Sequence, residues 1–150
     1  MARPRPPVFV DTGPFALETG FPQDPRTAVN RRFLEQIRSH GNGVTGLGCL
    51  LEWAGVMSYR ISAEQLENGV RYFQARFGVR LWPASDGLSL GREALLARIS
   101  RRMNMGDALV LLQAEECLPR CRTLVTWNPQ DFAGRTDLAV RTPQQFLRGG

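Results

Sequence analysis

The sequence predicts an α/β fold, with a mostly parallel sheet covered by helices on both faces. Short runs such as Val8-Phe9-Val10 and Thr123-Leu124-Val125 are rich in β-branched residues and lack the polar alternation of a half-exposed strand. Stretches with apolar residues at helical spacing lie between these runs. A chain of 150 residues that is 43% hydrophobic is long enough for one domain with a full core. No repeat or low-complexity linker divides it, so residues 1–150 are expected to form a single domain, with 1–7 as a flexible lead.

The elements follow from local signals. The first strand stops abruptly at Asp11, and "GPFALETG" reads as a short helix, 14–18, with Pro14 in its first turn. After the loop "FPQDP", residues 27–39 place Val29, Phe33, Leu34 and Ile37 on one face, with Arg31–Glu35 and Glu35–Arg38 able to pair on the other. "HGNG" ends that helix, and 43–45 form a short strand. Residues 46–60 read as a largely apolar helix. Ser62 caps the next, which carries Leu66, Val70, Phe73 and Phe77 at helical spacing and ends at Gly78. A strand at 79–83, helices at 89–103 and 106–118, a strand at 123–127, a last strand at 137–142 and a closing turn "PQQFL" complete the reading.

Composition narrows the chemistry. The net charge is +5 and all 19 basic residues are Arg. Guanidinium groups suit phosphate or carboxylate partners. The absence of Lys argues against a P-loop and against Schiff-base catalysis. Cys49, Cys117 and Cys121 make an odd count, "ARPRPP" is no apolar leader, and reduced thiols in a cytoplasm are expected. Zinc is a poor fit, since His40 is the only histidine. No stretch approaches the ~18 apolar residues of a membrane span.

The acids are the informative residues. Asp11 ends a buried strand, where in parallel sheets ligand sites lie; a helix cap explains its type but not its position at that rim. Glu52 sits on the apolar helix, flanked by Leu51 and Trp53, with Gly48, Cys49, Gly55 and Val56 as helical neighbours and no basic residue among them. Such a carboxylate is costly unless a cation reaches it from elsewhere, and Gly48 and Gly55 leave room for another chain or backbone to approach. The alternative is an exposed Glu on a helix that buries its other side, since Tyr59 and Arg60 bring the helix to the surface near its end. Asp107 opens an apolar helix and is sufficiently explained as a cap or first-turn acid. Asn128 and Asp131, in "TWNPQDF", also fit a turn. Glu115 and Glu116 read as surface acids. Together, oxygen donors from separated elements suit Mg²⁺ or Mn²⁺, which need neither His nor Cys. A divalent ion offsets the repulsion among carboxylates, aligns a phosphodiester and activates water for in-line attack. Arg98, Arg101 and Arg102, gathered at one helix end, suit either nucleic-acid phosphate or the helix dipole.

Taken together, "VFVDTGPF", "CLLEWAGV", "GDALVLLQAE", "LVTWNPQDF" and "VRTPQQFL" resemble the PIN domain family, most closely VapC-type toxin ribonucleases, over residues 8–147. The resemblance implies a three-layer α/β/α sandwich and Mg²⁺- or Mn²⁺-dependent cleavage of RNA to 5′-phosphate and 3′-hydroxyl products. It assigns the metal to Asp11, Glu52 and Asp107. The family's fourth acidic position falls on Asn128, a departure that Asp131 can make good. It further implies a protein antitoxin covering the acidic pocket and a toxin homodimer, with the helix bearing Leu66, Val70, Phe73 and Phe77 as one candidate interface. The alternative is a catalytically silent PIN-like module that binds nucleic acid or protein. A phosphatase-like use of Asp11 as nucleophile wants an acid two residues on, where Gly13 stands.

Overall fold

The computed structural model describes residues 3–82, 91–117 and 120–149. Parts of the expected elements, Pro83, Ser89, Leu90 and Leu118, lie outside the described residues, as do Met1 and Ala2 of the lead. Strands β1 (Val8–Val10), β2 (Gly43–Gly46), β3 (Val79–Trp82), β4 (Thr123–Val125) and β5 (Ala139–Arg141) form one sheet in the order β3-β2-β1-β4-β5. Every pairing is parallel among the described residues. The chain winds outward from β1 to β3, then returns to the other side of β1 with β4. The winding direction therefore reverses between β1 and β4, where Val10 pairs with Val125. Crevices at such switch points are the usual ligand sites of open α/β sheets.

The pleat sorts side chains into two cores. Val8, Val10 and Val125 join Phe15, Phe33, Ile37, Trp53, Phe73 and Phe77 on one side of the sheet. Phe9, Val44 and Leu124 join Cys49, Ala108, Val110, Leu111 and Phe132 on the other. The first layer holds α1 (Thr12–Gly20), α2 (Thr27–His40), α4 (Ala63–Arg71), α5 (Phe73–Phe77) and α8 (Pro143–Gly149). The second holds α6 (Arg92–Ile99) and α7 (Met105–Glu116), while α3 (Leu47–Met57) supplies residues to both cores. This is the α/β class the sequence predicts, compatible with a three-layer sandwich.

Several local expectations change. The helix read over 63–77 breaks at Tyr72 (φ −102°, ψ 9°), giving α4 and α5. The break turns Phe73 and Phe77 inward onto Phe15, with ring centroids 5.0 and 4.9 Å away, and leaves Val70 exposed. Ser62 does cap α4, in a reciprocal capping box with Gln65. Gly78 ends α5 at φ +63°, a left-handed turn that a side chain disfavours. Helix α3 ends at Met57, short of the expected Arg60. Arg31 pairs with Glu18 of α1 at 3.1 Å rather than with Glu35. The closing turn is a helix, α8, which packs Phe146 edge-on against Phe33. In the lead, the Asn42 side chain donates to the Pro6 carbonyl, 3.0 Å away, and Arg5 lies within hydrogen-bond distance of His40.

Candidate active site at the carboxyl ends of β1 and β4

Two strands deliver the first groups. Asp11 follows β1 directly, and its backbone N–H donates to Val125 of β4. Thr126 follows β4, and its hydroxyl donates to Asp11 Oδ2 at 2.7 Å. The N–H of Asn128 donates in turn to Thr126 Oγ1 at 3.0 Å. On the other side, Asp11 Oδ1 accepts the N–H of Thr12 at 2.7 Å, so Asp11 is also the N-cap of α1, which starts earlier than expected. The cap reading of Asp11 holds, and its second oxygen faces the end of β4.

Thr12 ties in the helix acid. Its hydroxyl donates to Glu52 Oε2 at 2.5 Å, bridging the β1 end to α3. Glu52 itself is exposed, and its Oε1 lies beside Gly106 at the start of α7. Gly48 lets α3 approach α7: a Cβ there would sit 2.7 Å from Leu109. Gly55 faces open space. Asp107 stands in the first turn of α7, where Asn104 is the cap. Asn104 Oδ1 accepts the Asp107 N–H at 2.8 Å, and Asn104 Nδ2 donates back to Asp107 Oδ2 at 2.7 Å. Asp131 lies in the short 3₁₀ turn Pro129–Asp131, its N–H bonded to the Asn128 carbonyl.

The acids act on one another. Asp11 is 8% exposed, and burial pushes its carboxyl up to about 6. The Thr126 and Thr12 bonds oppose that rise, and the charges of Glu52 and Asp107 add to it. Asp107 is also raised, first by desolvation, then by Asp131 and Glu52, with Asn104 and Arg135 opposing. None of the four acids is in an ion pair among the described residues; the pairs there are Arg26–Asp24, Arg31–Glu18 and Arg98–Glu115. Burial and then Asp11 push the Cys49 thiol up to about 12.

The donor set suits a hard cation. Carboxylates, hydroxyls and an amide are oxygen donors, and Asp11, Glu52 and Asp107 each keep free acceptor capacity beyond the bonds above. Among the described residues, no three His, Cys, Asp or Glu side chains converge on one point at ligating distance. Mg²⁺ commonly retains several waters and takes only one or two carboxylates directly. Asn128 is exposed, and among the described residues no hydrogen bond holds its side chain.

The basic residues divide. Arg98 donates to Glu115 at 2.6 Å and to the Arg135 carbonyl at 2.9 Å, so Glu115 is an ion-pair partner and not a free surface acid. Arg98 and Arg101 line a cavity of about 230 Å³ with Met103, Gly134 and Arg135. Arg102 lies outside that lining, exposed, with a left-handed backbone (φ +64°).

Thr12, Thr126, Asn104 and Arg135 belong to this site, and reading the sequence for acids passed over them. Asn104 was visible in principle, as an Asn-x-x-Asp capping pattern. Thr126 looked like an ordinary strand residue, because its role depends on the pairing of β4 with β1.

The chain matches no protein-family model, and no match to a curated protein is found. No helix among the described residues is long and apolar enough to cross a membrane.

Proposed function

We propose that this chain is a metal-dependent endoribonuclease of the PIN type, acting in the cytoplasm as the toxin of a toxin–antitoxin pair. One observation carries the reading: Asp11 after β1, Glu52 of α3, Asp107 of α7 and Asp131 in the turn after β4 lie close enough for Glu52, Asp107 and Asp131 to raise a neighbouring carboxyl, and none has an ion-pair partner among the described residues. Asp11, Glu52 and Asp107 would hold Mg²⁺ or Mn²⁺, with Asn128 or Asp131 completing the set. When bound, the ion supplies Lewis-acid polarisation of the scissile phosphodiester and a lowered pKa for attacking water.

The protein's own residues supply positioning. Thr126 and the Thr12 N–H hold both Asp11 oxygens, fixing the carboxylate at the strand end. Thr12 orients Glu52, and Asn104 orients Asp107. This fixed outer layer keeps the carboxylates in place as charge builds. Exposed Leu51 and Val56 on α3, Tyr59 in the turn after it, and Val70 and Tyr72 at the end of α4 offer apolar surface to a protein antitoxin or a second copy.

The test is cleavage of RNA with Mn²⁺ or Mg²⁺, with and without chelator, beside Asp11→Asn. Chelator and substitution should each abolish cleavage, leaving 5′-phosphate ends in the untreated reaction. Cleavage that survives both overturns the mechanism. A small upstream reading frame encoding a DNA-binding protein would support the toxin role.

A second reading is a silent PIN-like binding module. The exposed Asn128 in place of an acid, with no convergent ligand trio among the described residues, favours it. Calorimetric titration with Mn²⁺ separates the two: no heat and no melting shift at millimolar metal supports the module.

A further inference from the structure

We infer that the arginine-lined cavity beside Asp107 is a subsite for one backbone phosphate of single-stranded RNA, an inference that rests on the ribonuclease reading. The cavity lies where the end of α6 meets the turn after the 3₁₀ segment, and Arg98, Arg101, Met103, Gly134 and Arg135 line it. Its volume, about 230 Å³, falls below the roughly 300 Å³ at which small-molecule pockets begin. That volume has room for a phosphate group.

The three guanidiniums have different tasks. Arg98 is 23% exposed, and Glu115, equally covered, matches its charge at 2.6 Å. It also donates to the Arg135 carbonyl, so it braces the turn that carries Arg135. Arg101 and Arg135 are exposed and have no carboxylate within ion-pair distance among the described residues. They leave two guanidiniums outside any ion pair among the described residues on one small concavity, with Arg135 close enough to Asp107 to lower its carboxyl. Guanidiniums are groups that phosphate oxygens accept bidentately.

Backbone bends flank both arginines. Gly134 takes φ +76° directly before Arg135. Arg102 takes φ +64° without being glycine, an uncommon conformation directly after Arg101. The cavity is also joined to the acids. Met103 lines it, and the next residue, Asn104, holds Asp107. Arg135 stands in the turn that follows Asp131.

The acids explain why the occupant is a polymer. Four carboxylates repel a polyanion, so a strand that enters the site needs a cationic hold on its flank. A phosphate next to the scissile one meets that need, and unpaired RNA can bend to offer it.

The test uses the full chain carrying Asp11→Asn, so that bound RNA is not cut. A fluorescent single-stranded RNA is titrated between about 50 and 200 mM salt. Adding R101Q and R135Q together should weaken binding at least tenfold. It should also lower the slope of log affinity against log salt by about 0.7, the value for one phosphate contact on a single strand. R71Q with R148Q removes the same charge from exposed positions outside the cavity lining and should leave the slope nearly unchanged. Equal losses in the two pairs mean diffuse attraction and overturn the subsite, as does no loss in R101Q/R135Q. A melting temperature unchanged by R101Q/R135Q verifies folding; each single variant, expected to weaken binding severalfold, serves if it drops. Inorganic phosphate provides a further arm. If it raises the melting temperature of the unsubstituted chain while R101Q/R135Q leaves RNA affinity intact, the cavity takes free phosphate and the RNA subsite is overturned. The two readings fail separately. Arg101- and Arg135-dependent binding without any cleavage by the unsubstituted chain overturns only the ribonuclease. Metal-dependent cleavage with an unchanged KM in R101Q/R135Q overturns only the subsite.

Discussion

The Thr126 hydroxyl donates to Asp11 Oδ2 at 2.7 Å, joining the carboxyl ends of β1 and β4 across 115 residues of sequence. Thr126 also accepts the Asn128 N–H, so one hydroxyl links a candidate ligand to the turn that carries the others.

That link predicts a pH-dependent defect. Thr126→Val removes the donor to Asp11 and orphans the Asn128 N–H. A hydrogen bond to a charged group is worth about 1.5–3 kcal/mol and one to a neutral group about 0.5–1.5 kcal/mol. The loss of stability in T126V should therefore be greater at pH 8, where Asp11 is ionised, than at pH 4.5, where it is protonated. Urea denaturation at the two pH values checks this.

Asp11 itself should oppose folding at neutral pH. Its carboxyl rises from 3.8 in the unfolded chain to about 6 in the fold, chiefly through burial. The folded state therefore holds the proton more tightly. The contribution is neutral below about pH 4, and stability falls as pH rises through 4 to 6. Ionisation costs the folded state about 3 kcal/mol once complete. Asp107 shifts in the same direction and adds the same sign. Asp11→Asn can still accept from the Thr12 N–H and donate to Thr126. It should raise the melting temperature at pH 7.5 by about 6–12 °C and flatten the decline between pH 4 and 6. A calorimetric pH series measures both, and a D11N chain less stable than wild type at pH 7.5 overturns this account.

Metal should reverse that cost. Under the ribonuclease reading, Mn²⁺ binds the ionised carboxylates and stabilises the fold by about 2.7 kcal/mol at a hundred times its Kd. The melting shift should be larger at pH 7.5 than at pH 5, because protons compete for the same oxygens. It should vanish in D11N. Asn128→Asp, a change at an exposed position, should enlarge the shift without a large change in metal-free stability.

A packing prediction is independent of function. Gly43 of β2 lies under Ile37 and Val79, and a Cβ there would come within 2.3 Å of Ile37 Cγ2 and 2.8 Å of Val79 Cγ1. Both neighbours are buried, so neither can swing away. Gly43→Ala should cost about 1–3 kcal/mol, the usual scale of overpacking. Chemical denaturation monitored by Trp fluorescence reads it out.

The α/β class, the short buried strands and the face of α2 were legible because they rest on local periodicity. Asp11 was legible because an acid that ends an apolar strand stands at a known kind of rim. The Tyr72 break was not, since helical spacing runs straight through it and only the packing of Phe73 and Phe77 on Phe15 bends the chain. Glu115 looked like a surface acid because its partner, Arg98, comes from another helix.

The sequence by itself determined which groups exist and which segments carry them: four acids, an asparagine, and arginines without a single lysine. Only the tertiary structure decided how they meet. The order β3-β2-β1-β4-β5 sets β4 beside β1, and so sets Thr126 against Asp11 and the turn of Asp131 near Asp107. It also turned Arg98 from a free cation into a brace for Arg135. Periodicity is a property of neighbours along the chain. Proximity between residues a hundred positions apart is set by strand order and layer packing, which no local pattern encodes.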